Sequence, residues 1–348
     1  MSRVRTGETA CEPLSWAFAI SSALPLPPAP ASRASCEDRI PVTTPSPASP
    51  TPDDDFVAPF QIEGQPVRGR IARLGSVVDD ILNRHAYPDA VANLLGEACA
   101  LAALVGSGLK IDGRLILQAQ GDGPVSFVVA DYDSEGSLRG YCRYDEARVA
   151  EASAGFARPG AKSLLGDGVF IMTVDQGPDT ERYQGVTPIE GETLALCAEL
   201  YFAQSEQIPT RVRLAVGQVQ DEGPLRWRAG GMIVQNIAED DARAPTRDAW
   251  ETTLAMMETL GEDELIDPAL SSDKLLYRLF HEDGARLFRS RPLRAFCRCS
   301  QERITSVLQS FPIEERQDMV EADGKIRVTC EYCSRTYELA PEEVDGVS

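Results

Sequence analysis

The chain has 348 residues, 34 Lys+Arg against 54 Asp+Glu, and a formal net charge of −20. That is length enough for two or three domains with a substantial core, and 43% apolar and 25% charged residues are ordinary for a globular protein. The acidity excludes broad binding to nucleic acid or to an anionic membrane, both of which need basic surface, and no unbroken apolar run of about eighteen residues marks a transmembrane helix.

Residues 1–53 hold ten of the 24 prolines. "PLPPAPA" and "PVTTPSPASPTP" cannot form a packed helix or a central strand, so 1–53 reads as a disordered, proline-rich extension. Arg3 and Arg5 give its start a positive end, but Glu8 and Glu12 interrupt it and the apolar stretch 14–20 is short. A secretory signal is therefore not expected.

An α+β core domain is expected over 54–237, with an antiparallel sheet. "VRGRIARLG" reads as a strand, followed by a short helix and a longer one. Pro88 suits the first turn of the longer helix. Leu94, Leu95, Ala98, Leu101, Ala102 and Val105 give its apolar face, and Gly106 and Gly108 its stop. "RLILQAQ", "VSFVVADY" and "LRGYCRY" are strands separated by the turn signals "GDGP" and "DSEGS". "GVFIMTVD" and "RYQGVTP" continue the meander. "GETLALCAELYFAQSEQIPT" is helical up to Pro209, and "RVRLAVGQV" and "WRAGGMIVQNI" form a further strand pair.

A helical linker is expected over 238–292. "APTRDAWETTLAMMETLG" has Thr246 as N-cap and Gly261 as stop, and "SSDKLLYRLFHEDG" closes at Gly284. Their apolar faces (Trp250, Leu254, Met257, Leu275, Leu276, Leu279, Phe280) must pack on something, since helices this short are unstable alone. A small domain carrying two cysteine pairs is expected over 293–340, and 341–348 is a tail.

Nine cysteines is an odd number without a regular secreted framework, which points to a reducing compartment with metal-bound or reactive thiols. The strongest signal is Cys297 and Cys299, spaced C-x-C, with Cys330 and Cys333, spaced C-x-x-C. Four thiols on two turns suit Zn²⁺, which takes a thiolate tetrahedron. A permanent zinc staple, a pair of disulfides, or an alternation of the two all fit this grammar. C-x-C is an unusual structural spacing, and crowded thiolates become reactive once metal is lost. A nucleic-acid ribbon is disfavoured: 293–340 has seven Lys+Arg against eight Asp+Glu, a balance of −1. A thioredoxin-like reading lacks the surrounding βαβ unit. Cys11 and Cys36 lie in the extension and read as incidental; Cys99, Cys142 and Cys197 read as small buried residues. His85 and His281, the only histidines, read as surface or capping groups rather than catalytic bases. "VGSGLKIDG" fits no phosphate-binding pattern, so an ATP-independent protein and no enzyme is expected.

"FCRCSQERI", a gap of thirty residues (300–329) and "VTCEYCSRTYEL" resemble the zinc-thiolate region of the redox-regulated heat-shock chaperones of the "33 kDa chaperonin" family. "VRGRIARLG", "YFAQSEQIPT" and "AGGMIVQ" resemble segments of that family's core, so the likeness spans about 54–340, leaving the proline-rich extension unmatched. The resemblance implies a cytoplasmic holdase that binds one Zn²⁺ per chain, when reduced, through Cys297, Cys299, Cys330 and Cys333. Oxidation would then form the redox-active disulfides Cys297–Cys299 and Cys330–Cys333 and release zinc. Linker and zinc domain would lose structure, and the protein would homodimerise and capture unfolding or oxidatively damaged client proteins. It would hand them to an ATP-dependent foldase, with no nucleic acid and no membrane involved. Two rivals follow from the residues alone: a zinc-stapled adaptor without a switch, and a thiol oxidoreductase.

Overall fold

The computed structural model describes residues 54–109, 112–156, 158–177, 180–220, 223–237 and 246–345. The proline-rich extension, with Cys11 and Cys36, lies outside the described residues.

The chain begins with strands β1 (Phe56–Ile62) and β2 (Val67–Leu74) and helices α1 (Ser76–Leu82) and α2 (Asp89–Gly106). Strands β3 (Arg114–Gly121), β4 (Val125–Asp133) and β5 (Ser137–Tyr144) follow, then α3 (Glu146–Ser153), α4 (Ala161–Leu165), β6 (Gly168–Asp175) and β7 (Tyr183–Pro188). α5 (Leu194–Tyr201) runs into a π-helical turn, Phe202–Glu206, and β8 (Thr210–Val219) and β9 (Arg226–Asn236) form a hairpin. Next come α6 (Thr246–Glu258), α7 (Glu262–Ile266), α8 (Ser272–Phe280) and the short strands β10 (Ala285–Leu287), β11 (Arg291–Pro292) and β12 (Arg294–Ala295). α9 (Gln301–Gln309), α10 (Ile313–Asp318), β13 (Ile326–Thr329), β14 (Thr336–Leu339) and α11 (Pro341–Asp345) complete it.

The architecture is α+β with antiparallel sheets. One sheet runs β10-β1-β2-β9-β8, with β11 also on β1; the other runs β12-β5-β4-β3-β6-β7. The single parallel pair among the described strands is β12 on β5.

Helix α2 lies between the two sheets, touching β2, β8 and β9 of one and β3, β4 and β5 of the other. Its buried residues include Val91, Leu94, Ala98, Cys99, Ala100 and Leu104, which circle the helix, so the single apolar face expected from periodicity is too narrow. Small side chains let both sheets close on it, as in "ACALAALVG". α2 is also long and apolar enough to cross a membrane by length and composition, with mean hydropathy 1.4, but 83% of it is buried inside the protein. It is a core helix. Pro88 stands one place earlier than expected, at the N-cap, where it gives up no helical hydrogen bond.

Strand alternation divides the first sheet between two cores. Val57, Ala72, Leu74 and Ile233 face α2. Ala58, Phe60, Ile62, Ile71, Met232 and Val234 face the opposite way, under α6, α7 and α8, where Met257, Leu265, Leu275, Leu276, Leu279 and Phe280 cover them. A glycine pair in β9 sets both distances. A Cβ on Gly230 would meet the Leu265 carbonyl of α7 at 2.2 Å, and one on Gly231 would meet Leu104 of α2 at 2.9 Å. Thr246 is the first residue of α6 rather than its cap, and Gly261 both follows α6 and caps α7. Gly284 closes α8 at φ +78°, its N–H bonded to the Phe280 carbonyl at 2.8 Å.

Polar grips add to this outer layer. Arg73 of β2, 2% exposed, donates to the carbonyls of Glu264 (3.0 Å), Asp267 and Leu270 (2.9 Å). Arg228 of β9 donates to the Ile266 carbonyl at 2.7 Å. These arginines thus satisfy carbonyls that the C-terminal end of α7 leaves open.

The last part of the chain has only a small cluster of its own: Leu308, Ile326, Leu339 and Val344 are its buried residues. Val344 comes from α11, within the stretch read as a tail. The stretch read as a helical linker also holds β10 and β11, paired to β1.

Candidate metal centre

Cys297 and Cys299 follow β12 directly. The Phe296 N–H bonds to the Leu138 carbonyl at 3.1 Å, so this segment leaves the core sheet as a continuation of its edge. In an extended run, side chains two apart share a side and the one between points away. Arg298 accordingly turns back to the buried Asp131, at 3.3 Å, while the two thiols face the C-x-x-C turn. Ser300 then starts α9, its hydroxyl accepting from the Arg303 N–H.

Cys330 and Cys333 sit at the end of the β13–β14 hairpin. The Cys330 N–H bonds to the Arg335 carbonyl at 2.9 Å, and the Cys330 carbonyl accepts from Ser334 N–H at 2.8 Å. Ser334 takes φ +56°, which closes the turn. Backbone N–H groups of Tyr332 and Cys333 reach the Cys330 sulfur, and that of Arg335 reaches Cys333. Such donors favour thiolate.

The four sulfurs converge, all within 4.8 Å of one another. Cys297 Sγ lies 3.7 Å from Cys330 Sγ, and Cys299 Sγ 3.3 Å from Cys333 Sγ. A tetrahedron with metal–sulfur bonds of about 2.3 Å has edges of about 3.8 Å, so the donor set fits a tetrahedral thiophilic cation. All four cysteines are free thiols and half-buried. Burial raises the Cys299 thiol, but hydrogen bonds from Tyr337 Oη (3.2 Å) and the other three thiols outweigh it and bring it down to about 7. Burial pushes Cys333 up to about 12 and also raises Cys330. The proton on Cys299 leaves easily while those on Cys330 and Cys333 are held, as expected where several thiols share one space without a cation. A bound metal would displace them.

The turn is docked on the core by His85, read from the sequence only as a surface or capping group, and by residues the sequence did not single out. His85 Nε2 lies 2.8 Å from the Glu331 carbonyl, and Ser334 Oγ donates to the Arg84 carbonyl at 2.9 Å. Glu331 takes Arg143 at 3.1 Å and Tyr141 at 3.3 Å. The Arg139 guanidinium lies 3.9 Å over the Tyr332 ring and pairs with Asp131, which is 2% exposed. His85 is thus a contact residue between turn and core, while His281 caps α8. Cys99, Cys142 and Cys197 are buried in the core, and burial pushes their thiols up, Cys99 to about 12. They lie apart from the cluster.

Comparison with known proteins agrees with this arrangement. The family model described as "Hsp33 protein" matches residues 55–340. The chain is 67% identical over 288 residues to the 33 kDa chaperonin of Caulobacter vibrioides (strain NA1000 / CB15N), covering 83% of this chain and 95% of that protein. It is 36% identical over 297 residues to the 33 kDa chaperonin of Azotobacter vinelandii, covering 84% and 94%. The crystal structure of the 33 kDa chaperonin (heat shock protein 33 homolog) of Thermotoga maritima superposes with TM-score 0.68 at 27% identity, covering 84% of this chain and 97% of that one. By sequence across nearly all its described length, and by fold, the chain belongs to the Hsp33 family of chaperones.

Proposed function

We propose that this chain is an ATP-independent holdase whose client binding is switched on by oxidation of Cys297, Cys299, Cys330 and Cys333. The observation that carries the reading is the convergence of four half-buried free thiols at the edge of a module with four buried residues in its own cluster. In the reduced state these four would hold one Zn²⁺, which supplies a structural crosslink that so small a core lacks. The domains are taken as 54–237 for the core, 238–292 for the linker and 293–340 for the switch.

Oxidation of each pair of thiolates by peroxide removes two electrons, which the peroxide takes up, and forms one S–S bond, Cys297–Cys299 or Cys330–Cys333. A sulfur in a disulfide is no longer a thiolate donor, so the four residues can no longer hold the metal. Structural zinc contributes roughly 10–16 kcal/mol of apparent binding free energy to a small domain, so the module unfolds when its donors are lost. The contacts of Glu331, Tyr332 and Ser334 with the core go with it. Linker helices α6–α8 then loosen and uncover Phe60, Ile71, Met232 and Val234 on the outer face of the first sheet. That face is apolar enough to hold unfolding clients or a second copy of the chain. The net charge of −20 keeps the opened form soluble. Clients pass on to an ATP-dependent foldase in the cytoplasm.

The test follows zinc release and suppression of client aggregation in parallel during peroxide treatment of the reduced, zinc-loaded chain. Both should rise together, without ATP. Zinc that stays bound through mild peroxide would instead identify a static adaptor.

A further inference from the structure

The cysteine cluster is open on one side. A cavity of about 510 Å³ adjoins it, and its lining includes Cys297, Cys299 and Cys333 together with Arg84, Arg298 and Arg335. Cys330 is not part of the lining, and neither is any carboxylate. In a chain with 54 acidic residues and a net charge of −20, three guanidinium groups lining one cavity with no carboxylate in its lining call for a reason.

Ion pairing within the chain accounts for one of the three. Arg298 is tied to Asp131 at 3.3 Å. Among the described residues, neither Arg84 nor Arg335 has an ion-pair partner, and Arg84 Nη1 is buried without a hydrogen-bond partner. A buried guanidinium nitrogen left unpaired is costly. The Arg84 backbone is fixed by Ser334 Oγ on its carbonyl, so its side chain is held beside the C-x-x-C turn. Arg335 lies within electrostatic range of Cys299 and Cys333. Four thiolates around a divalent cation carry a net charge of about −2, which would repel an approaching anion. Arg84 and Arg335, the two without an ion-pair partner among the described residues, offset that charge locally. The volume falls in the range of small-molecule sites, roughly 300–1,000 Å³.

We propose that this cavity is an entry site for a small carboxylate-bearing disulfide, held by the arginines with its sulfurs against the lining thiols. The proposal rests on the thiol-switch reading above. A lining thiolate attacks one sulfur of the bound disulfide. This forms a mixed disulfide with the chain and expels the other half as a thiolate. The second cysteine of the same motif then attacks the chain-side sulfur, forming the protein disulfide and expelling the second half. Two protein thiolates lose two electrons, the small disulfide gains them, and its two halves leave as thiolates, which take any protons from solvent. Guanidinium groups match carboxylates in bidentate geometry, so the arginines select charge and shape together.

The test uses the full-length, reduced, zinc-loaded chain and three disulfides: dianionic 5,5′-dithiobis(2-nitrobenzoate), neutral 2-hydroxyethyl disulfide and dicationic cystamine. Each rate of thiol loss is divided by the rate of the same reagent with free cysteine. The dianion should be favoured over the neutral reagent by about tenfold at low salt, and the preference should shrink as salt screens it. Arg84→Gln with Arg335→Gln should remove most of that preference, while Arg84→Lys with Arg335→Lys should keep a large part of it. Zinc content of each variant, measured before oxidation, reports whether the site is intact, and the neutral reagent is the internal reference. An equal preference in the wild type and the Gln variant overturns the entry site while leaving the switch standing, and so does no preference at all, the result expected if only water occupies the cavity. If the neutral reagent also fails to oxidise the four thiols, the switch itself is refuted and the entry site with it.

Discussion

The layer between the two sheets and the C-terminal module are held together in opposite ways. Around α2, apolar side chains from both sheets close on the helix from all directions, and no one residue dominates. In the module, Leu308, Ile326, Leu339 and Val344 are the buried residues, and four sulfurs gather at one end. Stability spread over many contacts can be lowered by a mutation but not removed by one chemical event. Stability concentrated in four atoms can be. The layer of α6–α8 stands between these cases. It is apolar like the core, but Arg73 and Arg228 also grip its backbone.

Three expected outcomes break or sharpen that contrast. The largest effect belongs to Cys297→Ser with Cys330→Ser, which leaves two sulfurs and removes a contribution of roughly 10–16 kcal/mol to the module. Zinc should be absent by elemental analysis. Amides of 300–345 should exchange rapidly, while those of α2 keep their protection. A module that stays protected would show that its small cluster suffices and that the contrast is false.

A smaller effect is expected for Arg73→Met. It deletes bonds to the carbonyls of Glu264, Asp267 and Leu270 from a side chain 2% exposed, and should cost about 2–3 kcal/mol. Hydrogen exchange should quicken in α7 and over 267–270 before it does in α2. Equal acceleration in both places would make the outer layer and the core one cooperative unit.

The smallest belongs to Glu97, a half-buried residue of α2. Burial raises its carboxyl from 4.5 to about 7, against the opposing pull of the Leu194 backbone N–H and Arg158. A carboxyl whose folded pKa lies above its unfolded value binds protons more tightly when folded. Stability from this site is therefore full below about pH 4.5 and is lost as pH rises to about 7. Glu97→Gln should stabilise the chain by about 1–2 kcal/mol at pH 8 and have no effect at pH 4. Denaturant titrations at the two pH values decide it, and a gain at pH 4 would assign the effect to packing.

What the sequence shows and hides follows from how local each signal is. Strands such as "VSFVVADY" and "GVFIMTVD" announce themselves by composition and by the turns that bound them. β1 does not, because Pro59 in the middle of "FVAPFQI" argues against a strand. It is tolerated with its side chain exposed, and its carbonyl still accepts from the Phe288 N–H at 2.9 Å. α4 is five residues long and β10–β12 two or three each, too short to carry a period. The four cysteines were legible because their spacing is local chemistry. Asp131, Arg139 and the docking role of His85 were not, since each is an ordinary polar residue until the C-x-x-C turn packs against it. Arg84 and Arg335, 251 positions apart, share a cavity only in the folded chain.

The attachment of Cys297 to the edge of the core sheet bears on recovery. When the module is unfolded, Phe296 remains three residues from Leu293, which packs with the core, so one half of the donor set stays moored. The other half hangs on the thirty residues from 300 to 329. A flexible chain of that length has a root-mean-square reach on the order of 30 Å. That keeps the two cysteine pairs at an effective concentration near the millimolar range, however dilute the protein is. Re-formation of the four-sulfur cluster after reduction is then an intramolecular search.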